Sequence, residues 1–191
     1  RIALVDHNET PGRKILISGG GRCNFTNVRA SAAQYLSQNP HFAKSALGRY
    51  SPADFIALVD SYGIAHHEKT LGQLFCDGSA RQIVDMLVEE CARATAAGGA
   101  VDWHMGAGVR EVRHDGTNFI VRTERTELSA PSLVVATGGP SIPKLGATAF
   151  AYELARQFGL KVVQPRPALV PLTLGGDDVM LRELSGISAD V

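Results

Sequence analysis

The run Gly19-Gly20-Gly21 constrains this chain more than any other stretch. It follows the short apolar run Ile15-Leu16-Ile17 and is closed by Arg22, Cys23 and Asn24, with Arg13 and Lys14 just upstream. Glycine is the residue for backbone that takes positive φ or lies directly against a ligand. Three in succession make poor core helix or core strand and good material for a loop that wraps a cofactor. A flexible surface turn is the plain alternative.

Around that loop, short apolar runs alternate with helical patterns. Residues 2–5 form a continuous apolar run, as expected of a strand buried on both faces, and residues 101–105, 133–136 and 160–163 read as further strands. Ser51-Pro52-Ala53-Asp54 is a helix start, with serine as N-cap and proline at the first helical position, and the helix should end near Tyr62-Gly63. Ser79 opens the strongest helix, which Gly98-Gly99 ends, with Ile83, Leu87, Cys91 and Ala94 as its expected buried stripe. Residues 42–49 and 148–158 suggest two more helices. A strand pair is expected at 65–68 and 73–76, and a hairpin at 108–113 and 118–123 around Asp115-Gly116, with a third strand at 127–130. Alternation of this kind predicts an α/β fold with a mostly parallel sheet and one antiparallel insert.

Composition narrows the function classes. Lys+Arg and Asp+Glu both number 19 in 191 residues, so no global field favours nucleic acid or an anionic membrane, although Arg13, Lys14 and Arg22 can hold a phosphate locally. No run approaches the roughly 20 apolar residues that cross a bilayer, and no signal peptide is visible, which makes the cytoplasm the default. Cys23, Cys76 and Cys91 are odd in number and lack metal-ligand spacing. His66 and His67 would face opposite sides of a strand, so no metal site is assigned. The chain opens inside a strand pattern and closes without a stop signal, and it reads as a piece of a longer protein truncated at both ends.

Asp6 ends the first apolar run. In dinucleotide-binding folds an acidic residue there accepts a hydrogen bond from a ribose hydroxyl, and the matching glycine turn would lie about 20 residues earlier, before Arg1. Ala136, Thr137, Gly138 and Gly139 repeat the signal, an apolar run ending in small residues that let backbone approach a flat ligand. Together with residues 68–75, the 140–146 stretch and residues 167–172, these segments resemble the BaiN/YhiN-like family of FAD-dependent oxidoreductases. The resemblance covers essentially the whole chain, and residues 19–27 are its most specific part.

That resemblance implies a Rossmann-like FAD-binding domain over residues 1–170, with the 108–130 meander as an insert, and the start of a β-rich substrate domain at 171–191. It implies Asp6 on the adenosine ribose, Gly12, Arg13 and Lys14 toward the pyrophosphate, and Gly19, Gly20, Gly21, Arg22, Cys23 and Asn24 near the flavin. Val109 would offer backbone to the adenine, and Ala136, Thr137, Gly138 and Gly139 would pass near FAD. Ala149-Phe150-Ala151 stands where relatives commonly carry Gly-Asp-Gly, so a polar contact at Phe150 is not carried over. Cys23 beside Arg22 can be a reactive thiolate; lacking a sequence neighbour to pair with, it is assigned to packing or cofactor contact. No catalytic residue is assigned. The expectation is an oxidoreductase reduced by NAD(P)H that acts on a small-molecule substrate, with no nucleic acid partner and an open oligomeric state. A non-catalytic nucleotide-binding module and a flavin-dependent nucleic-acid modifier are the alternatives, the second disfavoured by the balanced charge.

Overall fold

In the computed structural model, residues 1–141 and 146–166 are described. Backbone contacts divide the chain into two units, Arg1–Ala151 and Tyr152–Val191. The expected features at residues 142–145 and 167–191 lie outside the described residues.

Two strands form the parallel element. β1 (Ile2–Val5) pairs with β5 (Val101–His104) in the register Ile2↔Val101 to Val5↔His104. A long crossover joins them, as parallel strands require. Within it come α1 (Arg13–Ile17), β2 (Asn24–Asn27), α2 (Lys44–Arg49), α3 (Pro52–Ser61), β3 (His66–Glu68), β4 (Gln73–Cys76) and α4 (Arg81–Ala96). β2, β4 and β3 make an antiparallel sheet in that order. β2 was not foreseen, because Asn24-Phe25-Thr26-Asn27 has no apolar alternation; its ladder partner β4 makes it a strand. A register shift between Asn24 and Thr26 bends it as it leaves the glycine loop.

The core of this region lies between that sheet, α3 and α4. Cys23, Val59, Ile64, Cys76, Ala80, Ile83 and Met86 are buried together, with Phe25, Phe55 and Leu58 packed against them. α3 starts as its sequence requires: Ser51 and Asp54 form a reciprocal capping box, and Pro52 occupies the first turn. The stripe of α4 differs from expectation. Ile83, Val84 and Met86 are buried, whereas Leu87 is 37% exposed, Cys91 is half-buried and Ala94 is exposed. The first turns of the helix pack on α1 and the core cluster, and the later turns meet β5 and Tyr62 through Glu90 and Arg93, so the full burial falls on Ile83, Val84 and Met86.

β6 (Val109–His114), β7 (Phe119–Thr123) and β8 (Glu127–Ala130) form the expected meander. α5 (Phe150–Gln157) follows, with Thr148 Oγ1 accepting from the Phe150 N–H at 3.3 Å. The strands expected at 133–136 and 160–163 are not formed. A strand exists only through a partner's N–H and C=O groups, and among the described residues neither run has a ladder partner; Val134 is 85% exposed. The whole is an α/β, Rossmann-like architecture with added antiparallel sheets.

Candidate functional site

The carboxyl ends of β1 and β5 carry the first cluster. The Asp6 N–H donates to His104 O at 3.1 Å, and Asp6 O accepts from the Ala107 N–H at 2.9 Å, so the strand ends are locked to the 106–109 turn that leads to Val109. Asp6 Oδ1 accepts from both the N–H and the Nδ2 of Asn8 at 2.8 Å. Asn8 in turn receives Arg13 through its Oδ1 at 2.9 Å. Lys14 Nζ donates to Ser141 Oγ at 2.6 Å, which ties the 136–141 segment to α1. Gly146 sits so close to the His7 ring that a side chain there would strike it. Asp6 thus sits at the carboxyl ends of the parallel strands, with Arg13 linked to it through Asn8 and the turn before Val109 bonded to its carbonyl, while Lys14 links α1 to Ser141, just after Thr137, Gly138 and Gly139.

Gly12 has a packing reason of its own. It takes φ 76°, and a Cβ on it would stand 2.6 Å from Val84 Cγ2 on α4.

One short helix away lies the glycine loop. Gly19, Gly20 and Gly21 take φ of 56°, 66° and 85°, and Cys23 takes 53°. The loop is fixed by neighbours far along the chain: Cys76 N–H donates to Arg22 O at 2.9 Å, and Ala80 N–H to Gly21 O at 2.7 Å. A Cβ on Gly19 would meet Phe75 Cε1 at 2.7 Å and the Asn24 nitrogen at 2.9 Å. On Gly20, or on Gly138 (φ 68°), it would meet nothing within 4 Å. Gly19 is thus a packing glycine, while Gly20 and Gly138 present bare backbone to open space.

Cys23 is 5% exposed and shares its core cluster with Cys76, both as free thiols. Burial, and then the neighbouring Cys23, pushes the Cys76 thiol up, which keeps it protonated. His66 and His67 engage different carboxylates, Asp60 at 2.9 Å and Asp77 at 2.6 Å. The arrangement suits an elongated anionic ligand, with a carboxylate at one end for hydroxyls, Arg13 and Lys14 beside it, and bare backbone at two places.

A further signal is the placement of charge. Between Glu9 and Asp54 the chain has Arg13, Lys14, Arg22, Arg29, Lys44 and Arg49 and no acidic residue. All six are exposed, and among the described residues none has an ion pair. Arg1, Arg93, Arg110, Arg113, Arg122 and Arg125 each face a carboxylate. Counting acids window by window, rather than over the whole chain, would have found this.

Residues 1–188 match the HI0933-like protein Rossmann domain. The chain belongs to the HI0933-like family. Its motifs carried the same relationship in the resemblance to BaiN/YhiN-like flavoproteins. This HI0933-like chain is 54% identical to the ribosomal RNA dihydrouridine synthase of Escherichia coli K12, over 91% of its own length and 42% of that protein. It is 49% identical to the ribosomal RNA dihydrouridine synthase of Haemophilus influenzae Rd, over 100% and 47%. It is 28% identical to the 3-dehydro-bile acid delta(4,6)-reductase of Clostridium scindens, over 90% and 41%. The chain thus spans less than half the length of these relatives.

The expectation of no nucleic-acid partner is overturned by the first two relatives, whose names specify ribosomal RNA. Net charge misled because it is a sum; it cancels the unpaired cations of one segment against carboxylates located elsewhere.

Proposed function

We propose that this chain supplies the FAD-binding part of an enzyme that reduces a uridine in ribosomal RNA. The observation that carries the reading is the 54% identity to a ribosomal RNA dihydrouridine synthase across nearly the whole chain, glycine loop included. The third relative is compatible with it in chemistry. Dihydrouridine is uridine with its C5–C6 double bond saturated, and a delta(4,6)-reductase of a 3-dehydro substrate likewise acts on a double bond conjugated to a carbonyl.

When bound and reduced, FAD supplies the hydride for such a reduction, with NAD(P)H as the source of electrons. The chain's own residues bind and orient. Asp6 holds the ribose hydroxyls through the oxygen that Asn8 leaves unused. Gly12, Arg13 and Lys14 follow toward the pyrophosphate, and Val109 offers backbone to the adenine. Gly20 would lie against the flavin with its bare backbone, Gly21, Arg22 and Asn24 would continue the loop around it, Gly19 and Cys23 support the loop from the core side, and Ala136 to Gly139 would pass near FAD. Residues 1–170 are assigned to the FAD domain and 171–191 to the start of the next.

The test incubates the purified whole protein with NADPH or NADH and ribosomal RNA that lacks dihydrouridine. The expected result is a flavin absorption spectrum and, by mass spectrometry of the RNA, one uridine that has gained two hydrogens. A protein without flavin, or RNA of unchanged mass with either nucleotide, overturns the proposal.

A further inference from the structure

Asn27, Arg29, Ala30, Gln34, Tyr35 and Leu71 line a cleft of about 410 Å³ at the end of β2 away from the glycine loop. The cleft is held by specific bonds. Asn27 Nδ2 donates to Leu71 O at 2.9 Å, Asn27 Oδ1 accepts from the Arg29 N–H at 2.8 Å, and the Val28 N–H donates to Gly72 O at 2.9 Å. A reciprocal box between Ser31 and Gln34 fixes the short 3-10 turn that leads to Tyr35.

Two residues of this cleft cost the fold something and return little to it. Leu71 is held at φ 61°, a left-handed backbone that a branched apolar side chain rarely adopts, and is 74% exposed. Tyr35 is 45% exposed, its ring edge-to-face with Phe42 at 6.4 Å. Five of the six lining residues belong to the acid-free stretch and Leu71 comes from beyond it; Arg29 stands in the wall, and no carboxylate is on the lining. An aromatic ring, an apolar wall and an exposed guanidinium with no ion pair among the described residues are what unpaired nucleic acid requires, since stacking holds the base and the cation the phosphate.

We infer that this cleft binds an unpaired base of the RNA, stacked against Tyr35 and Leu71, with Arg29 on the adjoining phosphate. The inference rests on the reading of the protein as an RNA-reducing enzyme and adds where the RNA is gripped. Charge complementarity selects a polyanion over an apolar protein segment.

Fluorescence anisotropy of the whole protein with a labelled 12-nucleotide oligouridine tests it. Tyr35→Ala should weaken binding roughly tenfold, Tyr35→Phe should bind like wild type, and Arg29→Gln should lower the salt slope by about one. Leu71→Gly relieves the left-handed strain, so its melting temperature should hold while its RNA affinity drops; a misfolded variant is thereby separated from a weakened site. Arg113→Gln removes an ion-paired cation on the meander and should leave binding unchanged. FAD content should be the same in all five variants. Wild-type affinity in Tyr35→Ala and Leu71→Gly, or an equal loss in Arg113→Gln, overturns the inference. So does undiminished oligouridine binding with weakened attachment to intact ribosomal subunits, which would assign the cleft to a protein. If wild type reduces uridine while the cleft variants bind normally, only this inference falls; if wild type neither binds nor reduces RNA, the functional proposal falls with it.

Discussion

Gly19 and Gly20 share a backbone conformation and differ in what surrounds them, so they should respond differently to the same change. Gly19→Ala combines left-handed strain, about 1–2 kcal/mol, with a Cβ driven into Phe75 and the Asn24 backbone, roughly another 1–3 kcal/mol. Gly20→Ala meets no neighbour and should cost the strain alone, yet should weaken FAD retention if this backbone lies against the flavin. Urea unfolding and flavin release measure the two quantities; equal stability losses would remove the distinction. Cys76 gives a second residue-scale expectation. Burial raises its pKa, so little thiolate forms at pH 8, and iodoacetamide should label the half-buried Cys91 well before Cys23 or Cys76 in folded protein. Mass spectrometry of the labelled peptides reads the order. The glycine loop itself was legible in the sequence, since three glycines admit few other uses. Which glycine packs and which faces open space was not, because Phe75 reaches Gly19 from a strand distant along the chain.

At the scale of elements, caps and turns were the most readable features, because their bonds close within a few residues. The Asp54 carboxylate accepts from the Ser51 hydroxyl and N–H, both at 2.7 Å, and is held below the usual carboxylate range by them. Asp115 accepts from the N–H groups of Asn118 at 2.8 Å and Thr117 at 2.9 Å, which lower it in the same way. A carboxylate whose folded pKa lies below its unfolded value stabilises the fold above the unfolded pKa, near 4, and loses that contribution as pH falls through the folded one. The start of α3 and the meander turn should therefore loosen on acidification below about pH 4. Thermal unfolding between pH 6 and pH 3 should show a smaller acid-induced drop for Asp54→Asn and Asp115→Asn than for wild type. Ser51→Ala should cost about 1 kcal/mol at neutral pH, measured by denaturant unfolding. The α4 stripe was misread for the opposite reason. Helical spacing gives a face, but the neighbours that cover it decide which part of that face is buried.

For the whole molecule, the balance of 19 cations against 19 anions predicts weak attraction to RNA, and the segregation of charge predicts the reverse. If three of the six unpaired cations meet phosphates, the logarithm of affinity falls with that of salt at a slope near −2, more than tenfold between about 50 and 200 mM. A flat salt profile in anisotropy titrations of the whole protein would show that these cations do not meet RNA. The amino-acid sequence by itself determined the local features: the first strand, though not the burial expected of it, since Ile2 is 63% exposed and Leu4 and Val5 are only half-buried, the capped helix, the hairpin around Asp115-Gly116, and a glycine loop of a kind specific enough to carry the family. Tertiary structure alone decided that Asn24–Asn27 is a strand, that the 133–136 run has no ladder among the described residues, that Cys76 arrives in one core cluster with Cys23, and that Asn27 clamps Leu71 into an exposed, strained position. The division is physical. Caps, turns and backbone freedom are settled by residues a few positions apart, whereas ladders, ion pairs and burial depend on partners brought together only when the chain folds.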